Sequence, residues 1–467
     1  MKQLRKAIRL CAVILAVIML LPMVYGGFSL LRYGTRWRTS EYNTYQTSMK
    51  KNVIAGNIYD RGGVLLATTD PETRARVYPG DEAQRRALAH VMGNARGTVK
   101  NAVETFMAEY LYGANMSYTE RFTQTMQGAL RGDDLTLTVD SGLQRYIASV
   151  FPEGKNGAVV VMNYKTGEIY AMNSFPTFDP ASTAYVGINQ SLNRATRWLS
   201  APGSTFKIVT LAAALQNIAG AEEQTYTCQG GLSFGEHQRT VRDYGGAVHG
   251  ELTLRKAFTQ SCNSTFATLA CQMGDKALRR VAADFGIGDD FTFRDLVVEN
   301  SAFSVSDTEL LGADLAWTGA GQHQLGLSPL HMCMIAAAIA NDGVMMEPRL
   351  LLSAVSPTGI QRAAFEAIPY RTALPSSVAQ TIRGYMRDVV TSGTGRSARV
   401  PGLTICAKTG TAEIDTQKDD NAWFVGFIEN GSLPVAVCVV VADSGTGGSV
   451  AAPIAGQIFS YIAQRGE

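Results

Sequence analysis

The 467-residue sequence has little of what commonly builds metal sites, and its net charge is small. Its five histidines are dispersed and form no H-E-x-x-H pattern, and its seven cysteines form no C-x-x-C pair. This spacing predicts no metal, no cofactor and no dense disulfide framework. A net charge of +2 gives no reason to expect a nucleic-acid partner. No internal repeat or low-complexity tract is present, so the composition indicates an ordinary globular protein with room for two domains.

Charged residues are also missing from one long N-terminal segment, residues 10–31. Four cations precede it: Lys2, Arg5, Lys6 and Arg9. An apolar run of this length can cross the hydrocarbon core as a helix. Basic residues before the span predict that residues 1–9 lie in the cytoplasm and that the rest lies outside. A cleaved signal peptide would look similar, but no small-x-small site ends the run, which favours an uncleaved single-pass anchor.

A lysine follows a serine at helical spacing in Ala201-Pro-Gly-Ser204-Thr-Phe-Lys207. If a helix opens at Ser204, the two side chains share one face and the lysine amine can reach the serine oxygen. Serine is a poor nucleophile until a neutral base takes its proton. A lysine is neutral near pH ~7 only when it is buried or lies beside another cation. The pattern therefore predicts a serine nucleophile, a lysine base and a second cation aimed at the same place.

Two later motifs complete the pattern, Ser261-Cys262-Asn263 and Lys408-Thr409-Gly410-Thr411. Ser-x-x-Lys, Ser-x-Asn and Lys-Thr-Gly are the three motifs of penicillin-binding proteins and serine β-lactamases. Here they occur in that order, with matching flanks such as Lys408-Thr-Gly-Thr-Ala-Glu413. On these residues the chain resembles a class B, monofunctional penicillin-binding protein, a family of peptidoglycan D,D-transpeptidases.

The sequence also contains a second copy of each short pattern. Lys165-Thr-Gly167 lies between two apolar runs and is predicted to be a β-hairpin loop. Ser191-Leu-Asn193 precedes the proposed nucleophile and so breaks the order of the motifs. Ser48-Met-Lys-Lys51 lies in a polar stretch without apolar periodicity. The context therefore favours the set built on Ser204.

The catalytic part is predicted to have an α+β fold. Strands are predicted at 157–163, 168–173, 423–428 and 433–441, and the main helices from residue 204 and at 254–258, 264–273, 276–285, 329–340 and 452–463. This order resembles the transpeptidase fold of penicillin-binding proteins, an antiparallel five-stranded sheet flanked by helices.

Residues between the anchor and the catalytic part have a different character. Residues 57–67 predict a hairpin, 84–92, 103–111 and 120–130 predict helices, and 132–140 predict a strand that leads into a helix at 143–150. The resemblance implies that this region is a non-catalytic, dimerisation-type pedestal. The expected domains are residues 1–9 in the cytoplasm, 10–31 as a transmembrane anchor, 32–145 as the pedestal and 146–467 as the transpeptidase domain.

The resemblance implies a role for each motif residue. Ser204 is the expected nucleophile and Lys207 its base, and backbone N–H groups of Ser204 and Thr411 form the oxyanion hole. Ser261 passes a proton to the leaving amine, and Asn263 holds an amide of the substrate. Lys408 disfavours protonation of Lys207 and, with the hydroxyls of Thr409 and Thr411, attracts the substrate carboxylate. Gly410 leaves room for a peptide to lie beside the strand.

Other functions remain open at this stage. A D,D-carboxypeptidase or a membrane-anchored class D-like β-lactamase would use the same motifs, and a β-lactam sensor or a non-catalytic scaffold would keep only the fold. Cys262 also allows a Cys-His nucleophile pair with His249, although a buried thiol is usually inert. Cys228 could pair with another cysteine in an external protein, whereas Cys271, Cys333 and Cys438 are predicted to be small core residues.

The resemblance also implies partners and a location. The expected ligands are peptidoglycan stem peptides and β-lactam antibiotics. Because the sequence shows nothing like a glycosyltransferase domain, the partner is expected to be a membrane glycan polymerase of the elongation, division or sporulation type. The protein is expected to be a single-pass protein of the bacterial cell membrane with its catalytic domain outside the cytoplasm.

Overall fold

The computed structural model describes residues 2–38, 52–99, 101–234, 239–304, 308–413, 420–429 and 434–466. The first of these segments is one helix, α1 (Lys2–Arg38). Within it, Arg5–Leu30 is long and apolar enough to cross a membrane, and large apolar side chains such as Leu15 and Leu21 are exposed. The helix extends past both ends of the predicted span at 10–31, and Pro22 lies inside it.

Residues 52–150 form short strands and helices. They are β1 (Ile58–Tyr59), β2 (Leu65–Thr69), β3 (Arg76–Val77), α2 (Glu82–Met92), α3 (Val103–Phe106), α4 (Ala108–Leu111), α5 (Tyr118–Met126), β4 (Asp134–Leu137) and α6 (Ser141–Val150). The predicted helix at 103–111 is thus two short helices. The predicted hairpin and the predicted strand followed by a helix are both present.

The first half of the catalytic region begins with two long strands and continues mostly as helices. It contains β5 (Gly157–Asn163), β6 (Ile169–Phe175), α7 (Ile188–Ser191), α8 (Arg194–Arg197), α9 (Lys207–Asn217), β7 (Thr225–Cys228), β8 (Gly231–Phe234), β9 (Arg239–Arg242), β10 (Gly250–Thr253), α10 (Leu254–Thr259), α11 (Asn263–Met273), α12 (Asp275–Asp284) and α13 (Gly312–Ala320).

The second half returns to the sheet. It contains α14 (Pro329–Ala340), β11 (Val344–Met346), β12 (Leu351–Val355), β13 (Gln361–Ala364), β14 (Pro369–Thr372), α15 (Ser376–Thr391), β15 (Ile405–Ala412), β16 (Asn421–Ile428), β17 (Val435–Val441) and α16 (Ala452–Arg465). The predicted bounds of α14 are correct. Pro329 begins the helix at a position where its missing N–H costs nothing, and Ser328 caps the helix by accepting from His331 N–H.

The central sheet has five antiparallel strands, as the resemblance implied, and their order is β15-β16-β17-β5-β6. Its strands alternate between two faces. On one face, residues such as Val160 and Cys438 pack with the wholly buried helix α14. On the other face, Val159 and Val439 pack with α6 and α16. The sheet therefore lies between two layers of helices, and β15, which carries Lys408-Thr-Gly410, is one of its edge strands.

A second sheet joins the N-terminal region to the catalytic region. Its strand order is β13-β12-β4-β1-β2-β3, so β12 pairs with β4 through contacts such as Ala354 with Leu135, and β13 pairs with β12. The sequence had placed 351–364 within the catalytic domain and had not predicted these strands. Strand β12 has the interrupted sequence Leu-Leu-Ser-Ala-Val and β13 is Gln-Arg-Ala-Ala, and each buries only part of its surface, so neither gives a clear strand pattern.

Candidate active site

Ser204 lies on a 3₁₀ turn, Gly203–Phe206, and not in the first turn of the α-helix as predicted. The α-helix α9 begins at Lys207, and residues 207–214 are all buried. Gly203 explains the difference, because its φ of 56° is a left-handed conformation that favours glycine. A Cβ at this position would also lie 2.6 Å from the Thr411 carbonyl oxygen. The turn is therefore pressed against β15, which places the serine at the edge of the Lys408 motif.

Lys207 lies within hydrogen-bonding distance of the proposed nucleophile, as the spacing predicted. Its Nζ lies 3.0 Å from Ser204 Oγ and also donates to Ser261 O at 2.7 Å and to Asn263 Oδ1 at 2.5 Å. The lysine is completely buried, and its amine lies 5.5 Å from the centre of the Phe266 ring. These three contacts hold the amine between Ser204 and the Ser261–Asn263 turn.

Ser261 and Asn263 form a turn directly opposite this pair. Ser261 has a φ of 63°, a left-handed conformation that costs a non-glycine residue about 1–3 kcal/mol. Its hydroxyl accepts from Lys408 Nζ at 2.8 Å and lies 3.4 Å from Lys207 Nζ. Asn263 uses its other amide atom to donate to Arg242 O at 2.7 Å. Ser261 is thus the group that links the two lysines.

Lys408 lies behind Ser261 and does not reach the wall of the cavity described below. It is fully buried, and its Nζ also donates to Thr409 O at 3.0 Å. Thr409 and Thr411 do line the cavity, so their hydroxyls are the members of this motif that can meet a ligand. The hydroxyl of Thr409 lies 2.5 Å from that of Thr394, a residue that no sequence motif indicated.

Burial lowers the pKa values of both lysines. The pKa of Lys207 falls to about 8, because desolvation disfavours its charged form. Burial and repulsion from Lys207 together lower the pKa of Lys408 well below its usual value. The sequence had predicted that burial and a second cation, Lys408, would both keep Lys207 neutral. In the structure, burial is the largest cause of the lowered pKa of each amine. The two amines lie in one region shielded from water, on either side of the Ser261 hydroxyl.

Gly410 is required by packing inside the protein. A Cβ at Gly410 would lie 2.7 Å from Pro202 O and 3.0 Å from Thr205 Cγ2, both in the segment that carries the nucleophile. The sequence analysis had explained this glycine by the space that a bound peptide needs. The structure shows that the nearest neighbour is the Ser204 turn itself, so Gly410 lets the nucleophile and the strand approach each other closely.

These residues open into a cavity of about 370 Å³. Its walls include Ser204, Ser261, Asn263, Thr409 and Thr411, together with residues that the motifs did not indicate: Asp243, Tyr244, His249, Gln260, Gln322, Thr394, Glu413, Thr446 and Gly448. Hence five of the eight predicted site residues share one cavity, and Lys207, Lys408 and Gly410 lie immediately behind it.

Gln322 is one of the residues that sequence reasoning missed. Its Nε2 donates to the Thr411 carbonyl at 3.2 Å, and a Cβ on the preceding residue, Gly321, would lie 1.8 Å from Gly203 O. The end of α13 therefore contacts both backbone segments that were predicted to form the oxyanion hole. The only signal in the sequence was a glycine followed by a polar residue at a helix end, which is too common to indicate a site.

The structure does not support a Cys262–His249 nucleophile pair. Cys262 is completely buried and caps α11 by accepting from Thr265 N–H at 3.4 Å. Burial raises the pKa of its thiol to about 12, which leaves almost no thiolate. His249 Nδ1 instead lies 3.2 Å from Cys228 Sγ. Cys228, Asp243, His249 and Cys262 nevertheless form one compact group of potential metal ligands, although the sequence predicted no metal.

Two of the three competing short patterns lie in a turn and at helix ends, and their residues do not line the cavity. Residues 164–167 form the turn between β5 and β6, and Asn163 Oδ1 accepts from the Lys165 N–H at 2.8 Å. Ser191 ends α7, and Asn193 caps α8 by accepting from Ala195 N–H at 3.1 Å. Ser48 lies outside the described residues. The predicted hairpin loop at 165–167 is therefore confirmed.

Known relatives match this chain in sequence over most of the catalytic region. Residues 157–460 match the family described as Penicillin binding protein transpeptidase domain. The peptidoglycan D,D-transpeptidase PbpA of Mycolicibacterium smegmatis is 31% identical over 433 residues, which are 84% of this chain and 86% of that protein. The peptidoglycan D,D-transpeptidase MrdA of Acinetobacter baumannii is 29% identical over 71% of this chain and 54% of its own length.

Solved structures also superpose on this chain over most of its length. The penicillin G acyl-enzyme complex of penicillin-binding protein A from M. tuberculosis superposes with a TM-score of 0.78 at 30% identity, covering 88% of this chain and 100% of that one. The D,D-transpeptidase domain of a peptidoglycan glycosyltransferase from Eggerthella lenta has a TM-score of 0.75 at 29% identity, covering 89% and 99%. The chain belongs to the penicillin-binding protein transpeptidase family.

Proposed function

We propose that the protein is a peptidoglycan D,D-transpeptidase that works through an acyl-enzyme on Ser204 and is a target of β-lactam antibiotics. The observation that carries this proposal is the distance of 3.0 Å between the buried amine of Lys207 and Ser204 Oγ. Ser204 lies on the wall of the cavity, and Lys207 lies behind it. The family supports it, since relatives bear the name D,D-transpeptidase and one was solved as a penicillin G acyl-enzyme.

In the first step, Ser204 Oγ attacks the carbonyl between the two terminal D-alanines of a stem peptide while its proton passes to Lys207 Nζ. The carbonyl oxygen becomes negative and accepts from the backbone N–H groups of Ser204 and Thr411. Removing one such donor in other acyl-transfer enzymes costs about 3–4 kcal/mol of transition-state stabilisation. Gln322 holds the Thr411 peptide through its carbonyl, which keeps that donor in position.

In the second step, the C–N bond breaks and the departing D-alanine amine needs a proton. Ser261 is placed to supply it, because its hydroxyl accepts from Lys408 and lies 3.4 Å from the Lys207 amine. The proton taken from Ser204 can therefore travel from Lys207 through Ser261 to the leaving amine. Asn263 keeps Lys207 aimed at Ser204 and presents its amide to the cavity for the substrate.

The threonines of the third motif face the substrate. Thr409 and Thr411 line the cavity and present hydroxyls to the terminal carboxylate. Lys408 lies behind Ser261, to whose hydroxyl its Nζ donates, and its proposed role is to attract that carboxylate. Repulsion from Lys207 disfavours a second positive charge in this buried pair. Because β15 is an edge strand, a bound stem peptide can lie beside it as an added strand. Gly410 contributes by letting the nucleophile turn pack against the strand.

The rate of acylation by a β-lactam should rise with pH. Below its pKa of about 8, Lys207 is protonated and cannot accept the Ser204 proton, so the rate should fall about tenfold for each pH unit below that value. Stopped-flow measurement of acylation between about pH 6 and pH 9 would show the rise. Thermal unfolding over the same range is the control for loss of the fold. A rate that does not change with pH would contradict the base role of Lys207.

Transpeptidation is distinguished from hydrolysis by what attacks the acyl-enzyme. Class A β-lactamases use an additional glutamate to activate water, and the sequence contains no Glu-x-x-Leu-Asn segment to supply one. Glu413 does line the cavity, and burial raises its pKa, so this carboxyl stays protonated to a higher pH than an ordinary one and cannot act as a base in that range. An acyl-enzyme protected from water can wait for an amine from a second stem peptide.

An acceptor assay tests this proposal. The full chain in detergent is incubated with a stem peptide that ends in D-Ala-D-Ala, with and without an amine acceptor, and the products are identified by mass spectrometry. Transpeptidation predicts a cross-linked product whose yield rises with acceptor concentration as hydrolysed product falls. If D-alanine release yields only hydrolysed peptide at every acceptor concentration, the protein is a D,D-carboxypeptidase. Rapid turnover of penicillin would instead indicate a β-lactamase.

The N-terminal part is assigned a supporting role. The apolar helix α1 would anchor the chain in the membrane with the catalytic region outside the cytoplasm, and the region that follows, to about residue 145, would hold that region above the membrane as a pedestal. Since strands β12 and β13 complete the pedestal sheet, residues 351–364 belong to it in space. The proposed partner is a membrane glycan polymerase, because a monofunctional transpeptidase needs a separate enzyme to make the glycan strands that it joins.

A further inference from the structure

Helix α5 in the pedestal buries polar side chains and exposes apolar ones. Its buried residues are Glu120 and Gln124. Tyr118, Phe122 and Met126 form an apolar stripe along the helix and are 94%, 70% and 74% exposed. At about 100° per residue, the centres of these two sets lie about 180° apart around the helix axis. An ordinary surface helix has the reverse arrangement, and exposed apolar residues grouped in this way are typical of a surface that binds a protein or a membrane.

Polar contacts fix this orientation of α5. Glu120 accepts from the Ser117 N–H at 2.9 Å and from the Arg362 guanidinium at 2.7 Å. On the same side of the helix, Gln124 Oε1 accepts from the Arg131 N–H at 2.8 Å. The helix is therefore attached through its polar side, which leaves the apolar stripe open to solvent.

The apolar stripe belongs to the part of the pedestal that the chain reaches first after α1. Just beyond the end of α5, Ile54 N–H donates to Leu130 O at 2.8 Å and Gly132 N–H donates to Ile54 O at 2.9 Å. Asn52, the first described residue after α1, follows Arg38 by 14 positions. A chain of that length spans at most about 50 Å, so a membrane that holds α1 is within reach of the stripe.

The composition of the exposed face suits a lipid surface. The only acid in α5, Glu120, is on the buried side, whereas Arg121 is exposed beside the stripe. Aromatic and apolar residues next to a basic one are typical of helices in the membrane interface, which insert about 5–10 Å into the boundary between headgroups and acyl chains. Met126 follows Tyr118 by eight residues, so the stripe is about 12 Å long and can lie flat in that boundary.

We propose that the apolar stripe of α5 inserts into the surface of the membrane that α1 spans, and that Arg121 favours anionic lipid headgroups there. This inference rests on the anchoring role of α1 and does not depend on the reaction at Ser204. The tether favours the bilayer over other occupants, because the bilayer surrounds α1 in every molecule. A second copy of the chain or the glycan polymerase would have to be recruited.

Docking of α5 would give the pedestal a second contact with the membrane. A single spanning helix leaves the region outside free to tilt, whereas contacts through both α1 and α5 would restrict the tilt. The ion pair between Glu120 and Arg362 joins α5 to β13, which belongs to the sheet that connects the N-terminal and catalytic regions. The cavity at Ser204 would therefore be held at a fixed height above the lipid.

Quenching by brominated lipids tests this inference on the full chain. Phe122→Trp adds one tryptophan to the four native ones, and the protein is placed in phosphatidylglycerol-containing nanodiscs that hold one chain each. With bromine on the acyl chains, most of the added emission should be lost. Leu311→Trp is the matched control, because Leu311 is also an exposed apolar residue but lies in the catalytic region, directly before α13. Its added emission should remain.

The same discs separate the bilayer from the other occupants. Adding Arg121→Glu to Phe122→Trp should reduce the quenching in phosphatidylglycerol discs and have little effect in discs of neutral lipid. Unchanged quenching after Arg121→Glu would contradict the preference for anionic lipid. The docking is overturned if Phe122→Trp is quenched no more than Leu311→Trp, or if its environment changes only when two chains share a disc, which would assign the stripe to a second copy. β-Lactam acylation in these discs reports the reaction at Ser204 separately.

Discussion

Replacement of Ser204 by alanine is expected to abolish the covalent β-lactam adduct. The hydroxyl is the only atom group removed, and the turn that carries it is held by the backbone contacts of Gly203 and Gly410, so the fold should persist. D-alanine release should fall on the order of 10⁶-fold, as it does when other enzymes lose a serine nucleophile. Mass spectrometry of the intact protein after incubation with penicillin measures the adduct directly, and peptide mapping of the wild type identifies the modified residue.

The chain itself offers a matched control for this experiment. Ser191 belongs to the competing Ser-x-Asn pattern, and its hydroxyl donates only to Ile188 O, at 3.2 Å, among the bonds that the described residues show. Ser191→Ala should therefore be acylated at the wild-type rate. An adduct that forms equally well on the Ser204→Ala protein, or that maps to another side chain, would refute the acyl-enzyme assignment.

Replacement of Lys207 by methionine is expected to slow acylation by about 10²–10⁴-fold, the usual contribution of a general base. Methionine has a similar length and fills the buried space beside Phe266 without a charge, so large cavity effects are avoided. The adduct should still form slowly on Ser204, because the oxyanion hole and the nucleophile remain. The second-order rate constant for acylation is the quantity to measure, with thermal unfolding as the check on folding.

A second variant tests whether Lys207 accepts a proton or contributes only a positive charge. Lys207→Arg keeps a positive charge, but a guanidinium does not give up its proton in proteins. If Lys207 accepts the Ser204 proton, the arginine variant should be as slow as the methionine variant. Near wild-type acylation by Lys207→Arg would show instead that only the charge matters. Lys165→Met, in the exposed hairpin turn between β5 and β6, should leave the rate unchanged.

The strands and helices with strong apolar patterns could be predicted closely. The bounds of β5 were predicted without error, and α14 was predicted correctly because Ser328-Pro329 and Asn341-Asp342-Gly343 mark its two ends. Strands β12 and β13 were missed, since their burial depends on a partner strand more than 200 residues earlier in the chain. The local sequence of a half-exposed strand does not indicate which distant strand will pair with it.

The part of the site that could be predicted from the residues alone consists of side chains that are close together in the sequence. Ser204 and Lys207 are three residues apart, so helical geometry alone indicated that their side chains meet, even though the serine proved to lie in a 3₁₀ turn. The contact between Lys408 and Ser261 spans 147 residues and was inferred only through family resemblance. Gln322 and Thr394 belong to no short motif, and only the folded chain brings them to the cavity.

The amino-acid sequence alone indicated the family, the proposed nucleophile and base, and the apolar segment suited to a membrane. Each of these depends on residues that are neighbours in the chain or on a fixed order of short motifs. Tertiary structure decided the burial that lowers the pKa values of Lys207 and Lys408, the packing that requires glycine at 410, and the approach of Cys228, Asp243, His249 and Cys262 to one another. The physical reason is that desolvation and ligand geometry depend on atoms from distant segments, which meet only when the sheet and its helices pack together.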